Sequence, residues 1–474
     1  MPLTKITAKQ INYNQGNASS VTRIVSDKLK ETVSILDFGA HSTTEAGYSS
    51  FDSTAAIQAA INSLSSSGGF VFFPPGNYKT TATITLSNEN VSLAGSGSSQ
   101  MSVLTAGSVG VIGVGRHSGS TIITGSFNTG SVIKVANAGC SISDMTIDAS
   151  DARRTSGITT SHGIQVEAAD AAGAATTRIK IDRVRATNQP GCGVVLINNI
   201  VSSSLSTIEV DHNAKHGIAI VGGSYTSRTN RSRPGQIDIS NCRAGRNGGH
   251  GLCVGGMSEN DIYDTPYRIK VENFDGFYNC ITSSVCVDPA NPSNCYISGE
   301  NIDVFRSAFD GLSEFPSITD THTTIQIRGR NIGIINYRAI SGNPYAIKLV
   351  GHPYFASSMS NGIWLHRLYI INTIEPVGFY NPAIYWGSDV NGIDVSVDYV
   401  DTKTTNISSR KNGTHYTEHS DLFSLSDISP TFNQITANSV TAPYFRSYGG
   451  EVSINDDTSK YIEFSAPTRG VFTF

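Results

Sequence analysis

Short strand-like motifs recur along most of this chain at a nearly constant spacing. Apolar and polar side chains alternate within each motif, and successive copies begin about 28 to 32 residues apart, with one gap of about 38. The copies lie at residues 178–181, 207–210, 236–239, 268–271, 296–297, 324–327 and 362–365. A repeat unit of this length that holds two or three short strands indicates a solenoid, because a single unit cannot bury its apolar face alone.

A second strand follows within each repeat, and a residue pair ending in glycine often opens it. These openings lie at residues 162–164, 192–194, 216–218, 250–252 and 310–312. The composition, with 46 glycines and only 15% charged residues, suits short strands joined by tight turns. We therefore predict an all-β fold, a right-handed single-stranded parallel β-helix.

One segment near the start has the period of a helix instead. Ile57, Ala60, Ile61 and Leu64 are spaced i, i+3, i+4 and i+7, and residue 52 or 53 can serve as the N-cap. We expect this helix to cover the N-terminal end of the solenoid, whose open edge would otherwise recruit other strands. Apolar strands are predicted on either side of it, at 34–40 and 70–73.

The chain divides into four predicted regions. Residues 1–34 are polar, with a short helix near 26–31, and form an attachment segment. Residues 35–100 contain the start of the β-helix and its capping helix, and residues 101–400 form the main solenoid. After about residue 400 the composition becomes more polar, and 401–474 is predicted as a small C-terminal β region.

Three motifs near the start, VSILDFGA, DSTAAIQAAI and GGFVFFPPGNY, resemble the beginning of the pectate-lyase-like β-helix superfamily, which includes many phage tailspikes. The acidic stretch usual before the helix is reduced here to SSFDSTAAI. The resemblance implies a capping helix, a homotrimer of side-by-side chains with a C-terminal trimerisation cap, and a groove that holds glycan. It also implies attachment to a phage tail or baseplate protein through the N-terminus.

The same resemblance implies a function. We expect a virion tail protein, made in the host cytoplasm, that binds bacterial capsular polysaccharide or O-antigen and cleaves internal glycosidic bonds by hydrolysis. A non-catalytic receptor-binding spike with the same fold is the main alternative. A polysaccharide lyase, with or without Ca²⁺, is another. A polygalacturonase is less favoured, because its His-Gly and Arg-Ile-Lys motifs at 250–251 and 268–270 recur elsewhere in the repeat and its adjacent Asp-Asp pair is missing.

Bulk properties argue against other classes of partner. The formal charge of -4 and the pI near 6.3 give no basic surface for nucleic acid. No apolar stretch has the length of a signal peptide core or a membrane span, so we expect no membrane insertion. The seven cysteines lack zinc-type or thioredoxin-type spacing, so buried free thiols and no metal site or other cofactor are expected.

Carboxylates are the candidates for catalysis. Outward positions of the first strand are predicted to carry acids on successive rungs, at Asp182, Glu209, Asp211, Asp238, Glu272 and Glu300. This alignment brings Glu272 near Glu300 and Asp275 near Asp303, at about one strand spacing. Like charges that close raise one pKa, and glycoside hydrolysis needs one protonated and one ionised carboxyl. Glu272, Asp275, Glu300 and Asp303 are therefore the predicted catalytic pool, and Asp310 with Glu314 is the next candidate pair.

Other side chains on these rungs are candidates for holding the glycan. We expect Glu209, Asp238, Arg268, Lys270 and Tyr278 to contact substrate. The alternative is a solvated solenoid face on which acids are balanced by nearby Arg and Lys. Asn241, Asn273 and Asn301 are predicted to stack as an asparagine ladder at one turn, followed by inward-facing Cys242, Phe274 and Ile302.

Overall fold

The computed structural model describes most of residues 7–349 and short pieces beyond. The described ranges are 7–29, 31–98, 121–127, 129–149, 160–168, 175–222, 233–255, 266–287, 293–310, 323–340, 347–349, 361–372, 384–386, 393–402 and 431–432. The α-helices are α1 (Val25–Leu29) and α2 (Thr54–Asn62), and 3-10 helices cover Ala8–Gln10, Ile35–Phe38 and Ser283–Val285. No helix within these ranges is long and apolar enough to cross a membrane.

Nearly all the remaining regular structure is β-strand. The strands are β1 (Asn12–Tyr13), β2 (Arg23–Ile24), β3 (Thr32–Ser34), β4 (Gly69–Phe72), β5 (Gly76–Thr80), β6 (Ile84–Leu86), β7 (Val91–Ala94), β8 (Thr121–Gly125), β9 (Ile133–Val135), β10 (Ser141–Ala149), β11 (Ile164–Glu167), β12 (Thr176–Thr177), β13 (Lys180–Thr187), β14 (Val194–Ile197), β15 (Ile200–Ser206), β16 (Glu209–Asp211), β17 (Ile218–Val221), β18 (Gly235–Ser240), β19 (Arg243–Gly245), β20 (Leu252–Val254), β21 (Tyr267–Glu272), β22 (Asp275–Phe277), β23 (Ser293–Phe305), β24 (Ala308–Asp310), β25 (Thr323–Ile340), β26 (Ile347–Leu349), β27 (Asn361–Asn372), β28 (Ile384–Trp386), β29 (Ile393–Thr402) and β30 (Thr431–Phe432).

The strands coil into three parallel sheets, which confirms the predicted parallel β-helix. On the first sheet β15, β18, β21 and the end of β23 pair in succession. On the second sheet the end of β13 is followed by β16, β19, β22 and β24. On the third, β11, β14, β17, β20 and the start of β23 follow one another. The strands predicted after each His-Gly or Cys-Gly opening are β11, β14, β17 and β20.

A single left-handed residue turns the chain from the first sheet to the second on seven of the rungs that the structure describes. These residues, each with a positive φ, are Asp144, Arg183, Thr207, Asn241, Asn273, Arg306 and Asn336. Another such column precedes the first sheet, at Arg178, Ser202, Gln236, Arg268, Asn301 and Asn331. Asparagine tolerates this backbone region better than most residues, which explains its recurrence at the corners.

These two columns correct the predicted asparagine ladder. The Asn273 amide donates to Asn241 Oδ1 at 3.0 Å, so those two stack as expected. Asn301 belongs instead to the corner before the first sheet, where it accepts a hydrogen bond of 3.1 Å from Asn331. Consequently Ile302 stacks with Ile269 rather than with Phe274.

A longer ladder, which the sequence analysis missed, lies buried beside the second sheet. Asn213, Asn247, Asn279 and Asn294 are joined rung to rung by amide hydrogen bonds of 2.9, 2.7 and 2.6 Å. Each is at most 4% exposed, so every amide depends on its neighbours for hydrogen-bond partners. The spacing of these asparagines along the chain is irregular, which hides the ladder in the sequence.

The interior is filled mainly by Ile, Val and Leu side chains from the strands of the three sheets. The capping helix α2 buries Ala56, Ile57, Ala60 and Ile61 against this core. The predicted burial of Ile57, Ala60 and Ile61 is confirmed, whereas Leu64 lies beyond the end of the helix and packs against the core partly buried. The segment 34–40, predicted as a strand, forms the 3-10 helix Ile35–Phe38, which ends at left-handed Gly39. A strand precedes it: β3 already joins the first sheet beside β4, and this pairing starts within the predicted attachment segment.

Candidate functional site

The outward side chains of the first sheet form columns, and one column contains three of the predicted site residues. The register pairs Asp238 with Lys270, and Lys270 with Asp303, on successive rungs. Glu272 lies two residues beyond Lys270 on the same strand, in the next outward column. Asp238, Lys270, Glu272 and Asp303 therefore share one face, which we call the first-sheet site.

The predicted pairings within the catalytic pool are wrong. Glu272 is in register with Phe305, and Glu300 with Tyr267. Asp275 pairs with Ala308, and Asp303 with Lys270. The error arises because Asn273 and Asn301 were assigned to the same ladder, although they occupy corners at opposite ends of the first-sheet strand.

The alignment of Glu209 with first-sheet residues is also wrong. Ser204 is the residue in register with Lys180, so residues 207–210 do not form the rung equivalent to 178–181. Residues 296–297 and 324–327 belong to the third sheet, where Tyr296 pairs with Cys253 and with Gln326. Only register-level information separates these strands, because all carry the same alternating pattern.

Lys270 is the electrostatic centre of the first-sheet site. Its Nζ lies 2.8 Å from Glu272 Oε2, and Arg306 lies 3.7 Å from the other oxygen of this carboxyl. The hydrogen bond and charge of Lys270 lower the pKa of Glu272. Glu272 therefore remains an ionised carboxylate.

Asp303 has the opposite tendency. The residue as a whole is exposed, yet the surrounding protein partly desolvates its carboxyl, and this burial raises the pKa of Asp303. The charge of Lys270 offsets part of the rise. On the next rung stands Gly333, where an added Cβ would lie 2.8 Å from Asp303 Oδ1. The missing side chain at residue 333 thus leaves room for the Asp303 carboxyl to lie against the sheet.

Glu272 and Asp303 are diagonal neighbours. One rung separates them across the sheet and two residues separate them along it, so their Cβ atoms are about 7 to 8 Å apart. Two carboxyls on one face whose pKa values are shifted in opposite directions have the arrangement that the acid and base roles of glycoside hydrolysis use.

Glu300 and Arg268 lie at the edge of this face. Glu300 forms an ion pair with Arg233 at 2.9 Å, and the guanidinium carbon of Arg233 lies 5.1 Å from the centre of the Tyr267 ring. Arg268 is an exposed corner residue with a φ of 52°. Asp310 ends strand β24, but its side chain and all of Glu314 lie outside the described residues.

The second sheet carries the remaining predicted residues. Arg185, Glu209, Arg243 and Asp275 follow one another in register, so their charges alternate along one column. Asp275 pairs with Arg243 at 3.1 Å, and Tyr278 comes directly after strand β22. Glu209, Asp275 and Tyr278 thus belong to a different face from the first-sheet site.

Arg185 and Asp211 form an ion pair on this face that the sequence did not predict. Asp211 accepts hydrogen bonds of 2.8 Å from both Nε and Nη2 of Arg185, and a third of 3.0 Å from Thr187. Both charged side chains are almost fully buried. Burial raises the pKa of Asp211, but the hydrogen bonds and charges of Arg185 and His212 outweigh this effect and lower it to about 2.

Two buried groups of His and Cys side chains have the composition of a metal site. They are His216, His250 and Cys253, and His250, Cys280 and Cys286. His250 belongs to both, but its Nε2 accepts a hydrogen bond from the Val287 amide at 3.0 Å. Its Nδ1 must then carry the proton, which it donates to the Ser293 carbonyl at 2.5 Å. A ring whose two nitrogens are engaged in this way is poorly suited to bind a metal ion.

Comparison with known proteins agrees with this fold. Residues 32–251 match the family model described as rhamnogalacturonase A/epimerase, pectate lyase-like. Among proteins of curated function, none matches the sequence.

Solved structures resemble the chain at low sequence identity. ORF18 of Geobacillus virus E2 is 16% identical with a TM-score of 0.53, and the match covers 79% of this chain and 63% of that one. The mannuronan C-5 epimerase AlgE4 A-module of Azotobacter vinelandii is 15% identical with a TM-score of 0.50, covering 86% and 99%. Tailspike protein 2 of the Escherichia coli O157:H7 bacteriophage CAB120 is 12% identical with a TM-score of 0.47, covering 85% and 46%.

The chain therefore spans 63% of the length of the viral protein and nearly the whole of the epimerase module. At these identities the likeness concerns the fold. The resemblance of the sequence to the pectate-lyase-like β-helix superfamily is confirmed by the family match over residues 32–251 and by the parallel β-helix itself.

Proposed function

We propose that the protein is a tailspike-like enzyme that hydrolyses internal glycosidic bonds of a bacterial surface polysaccharide at the first-sheet site. In this proposal Asp303 is the general acid and Glu272 is the general base. The observation that carries it is the opposite direction of their pKa shifts on one face, at diagonal positions. A pair of carboxyls with pKa values pushed apart is the usual arrangement for acid and base roles.

The chemistry follows from the separation of the two groups. Burial raises the pKa of Asp303 and so favours its protonated form, which donates a proton to the leaving oxygen of the glycosidic bond. Glu272, held ionised by Lys270, removes a proton from a water that attacks the anomeric carbon from the other side. Because Glu272 and Asp303 stand at diagonal positions, we propose a carboxyl separation in the range of inverting enzymes, roughly 6.5 to 9.5 Å, which leaves room for that water and gives inversion of the anomeric configuration.

The shape of the solenoid supports a polymeric substrate. Outward side chains repeat along the sheet at about 4.8 Å per rung, so a single face can contact several units of an extended chain. Asp238 and Lys270 continue the column away from Asp303 and would contact neighbouring sugars. We propose that the substrate is capsular polysaccharide or O-antigen.

Two amide substitutions test the catalytic pair. Asp303→Asn and Glu272→Gln should each lower the rate of reducing-end release from a susceptible polysaccharide by roughly 100- to 10,000-fold. The matched control is Glu167→Gln, which alters an ion-paired carboxylate on the third sheet, bound to Lys134 at 2.6 Å. Retained activity in both site variants, with folding unchanged, would discard the pair.

The competing functions give different products. A non-catalytic spike would bind encapsulated bacteria without forming haloes on their lawns or releasing sugar. A lyase would generate an unsaturated uronic acid with a characteristic ultraviolet absorbance, whereas hydrolysis generates none.

Residues 1–34 are proposed to attach the protein to a phage tail, and the chain to act as a homotrimer on the virion. Support for attachment comes from five large apolar side chains that are exposed in this segment, namely Ile11, Tyr13, Val21, Ile24 and Leu29. Molar mass in solution tests the trimer.

A further inference from the structure

The second sheet presents a face that the proposed cleavage does not use. Left-handed Asn273 separates Glu272, the last residue of the first-sheet strand, from Asp275, the first residue of the second. The chain bends at this corner, so the two outward faces are distinct surfaces of the solenoid. Four outward side chains form one end of this second-sheet face. They are Arg243, Arg246, Phe277 and Tyr278, and we call them the arginine–aromatic surface.

The charges on this face are mostly balanced. Arg185 is bound by Asp211, and Arg243 by Asp275 at 3.1 Å. Glu209 lies in register between Arg185 and Arg243, so a positive charge flanks it on either side. Arg246 differs: among the residues described, no carboxylate lies within ion-pair distance of its guanidinium. The surface therefore offers one uncompensated cation.

Two aromatic rings lie beside that cation. Phe277 covers Gly245 on the preceding rung, where an added Cβ would lie 2.3 Å from the ring. The guanidinium carbon of Arg243 lies 4.6 Å from the centre of this ring, and that of Arg246 lies 5.9 Å from the centre of Tyr278. The two rings meet edge to face with centres 5.9 Å apart. All four side chains are half-buried, so part of each remains available to a ligand.

The backbone fixes the positions of the two key residues. Arg246 and Tyr278 occupy equivalent corners on successive rungs, with φ values of 57° and 51°. A left-handed conformation is costly for an arginine or a tyrosine, and such residues persist where the surrounding fold determines them. Their side chains therefore leave the solenoid at the same corner, one rung apart.

We propose that the arginine–aromatic surface is a second saccharide-binding site that takes a sugar unit bearing a carboxylate. The Arg246 guanidinium matches a carboxylate with two parallel N–H donors, and the aromatic rings present apolar area to a sugar ring. The site binds without cleaving, because Asp211 and Asp275 are each bound by an arginine and Glu209 lies in register between two arginines. It holds the polysaccharide on a face beside the first-sheet site.

Ligand-observed NMR with the full chain tests the proposal. The probes are the methyl glycosides of glucuronic and galacturonic acid and N-acetylneuraminic acid, with methyl glucoside as the neutral comparison. We expect saturable binding of at least one acidic sugar and weaker binding of the neutral one. Arg246→Gln should weaken that binding at least about tenfold, since a charged hydrogen-bonded contact is lost. Tyr278→Phe, which keeps the ring, should bind like the unaltered protein, and Tyr278→Ala should bind several-fold more weakly.

The matched control is Arg178→Gln. Like Arg246, Arg178 has a positive φ, at 58°, but it is exposed and occupies the corner before the first sheet. Binding that is equal for acidic and neutral sugars, absent for all of them, or unchanged in Arg246→Gln would overturn the proposal. Asp303→Asn and Glu272→Gln should retain this binding, so failure of the cleavage mechanism and failure of the second site give separate results.

Discussion

At the scale of single residues, Lys270 influences the pKa values of both carboxyls of the first-sheet site, Glu272 and Asp303. It bonds Glu272 directly and stands in register with Asp303, so its charge favours the ionised form of both carboxyls. Burial of Asp303 acts against this charge, and nothing comparable acts on Glu272. The difference between the two carboxyls therefore comes from unequal desolvation around a shared cation.

Replacing Lys270 should shift the pH dependence of activity. In Lys270→Met both carboxyls lose a neighbouring positive charge, so the pKa of Glu272 and that of Asp303 both rise. Activity requires ionised Glu272 and protonated Asp303, so both limbs of the pH–rate profile should move to higher pH.

The control for this prediction is Lys180→Met, which removes an exposed lysine from the same column three rungs away. Its profile should match that of the unaltered protein. A Lys270→Met profile with neither limb displaced would show that this lysine does not set the two pKa values.

At the scale of elements, the solenoid is held by contacts between rungs as well as by its apolar interior. The Asn213–Asn247–Asn279–Asn294 ladder satisfies buried amides by bonding each to the next. Asn247 Oδ1 also accepts from the Asn213 backbone amide at 3.1 Å. Removal of the Asn247 side chain therefore takes the acceptor from the Asn213 backbone amide and one hydrogen bond from the side-chain amides of Asn213 and Asn279.

Asn247→Leu should lower the free energy of unfolding by at least about 2 kcal/mol, because each buried polar group left unsatisfied costs roughly 1 to 3 kcal/mol. Denaturant unfolding followed by circular dichroism measures the change. Asn273→Gly serves as the comparison, since it removes a solvent-exposed ladder contact and keeps a residue suited to positive φ. Equal decreases in the free energy of unfolding of the two variants would mean that the buried ladder stabilises the fold no more than the exposed contact does.

At the scale of the whole molecule, periodicity in the sequence was sufficient to predict a parallel solenoid with a capping helix. Register was not predictable in the same way. Left-handed residues stand at more than one corner of a rung, and Asn273 and Asn301 occupy different corners although their local sequences look alike. Aligning Asn301 with Asn273 predicted that Glu300 lies beside Glu272 and Asp303 beside Asp275. In the fold, Asp303 lies beside Lys270.

The arginine–aromatic surface was not predicted for the same reason, because it depends on the register between rungs. Arg246, Phe277 and Tyr278 come together only because strands β19 and β22 are adjacent rungs, and neither strand exceeds three residues. The pairing of Arg185 with Asp211 likewise depends on side chains that reach across rungs. Composition and alternation carry no signal for such contacts.

The proposed site depends most on the register between adjacent rungs of the first sheet. Engineered cysteine pairs measure this register directly. Lys270→Cys with Asp303→Cys should form a disulfide under mild oxidation, since Cα atoms in register on adjacent rungs are about 4.8 Å apart, within disulfide range. Glu272→Cys with Glu300→Cys should not, because the two positions are five residues out of register. Peptide mapping by mass spectrometry that found the second cross-link and not the first would contradict the account.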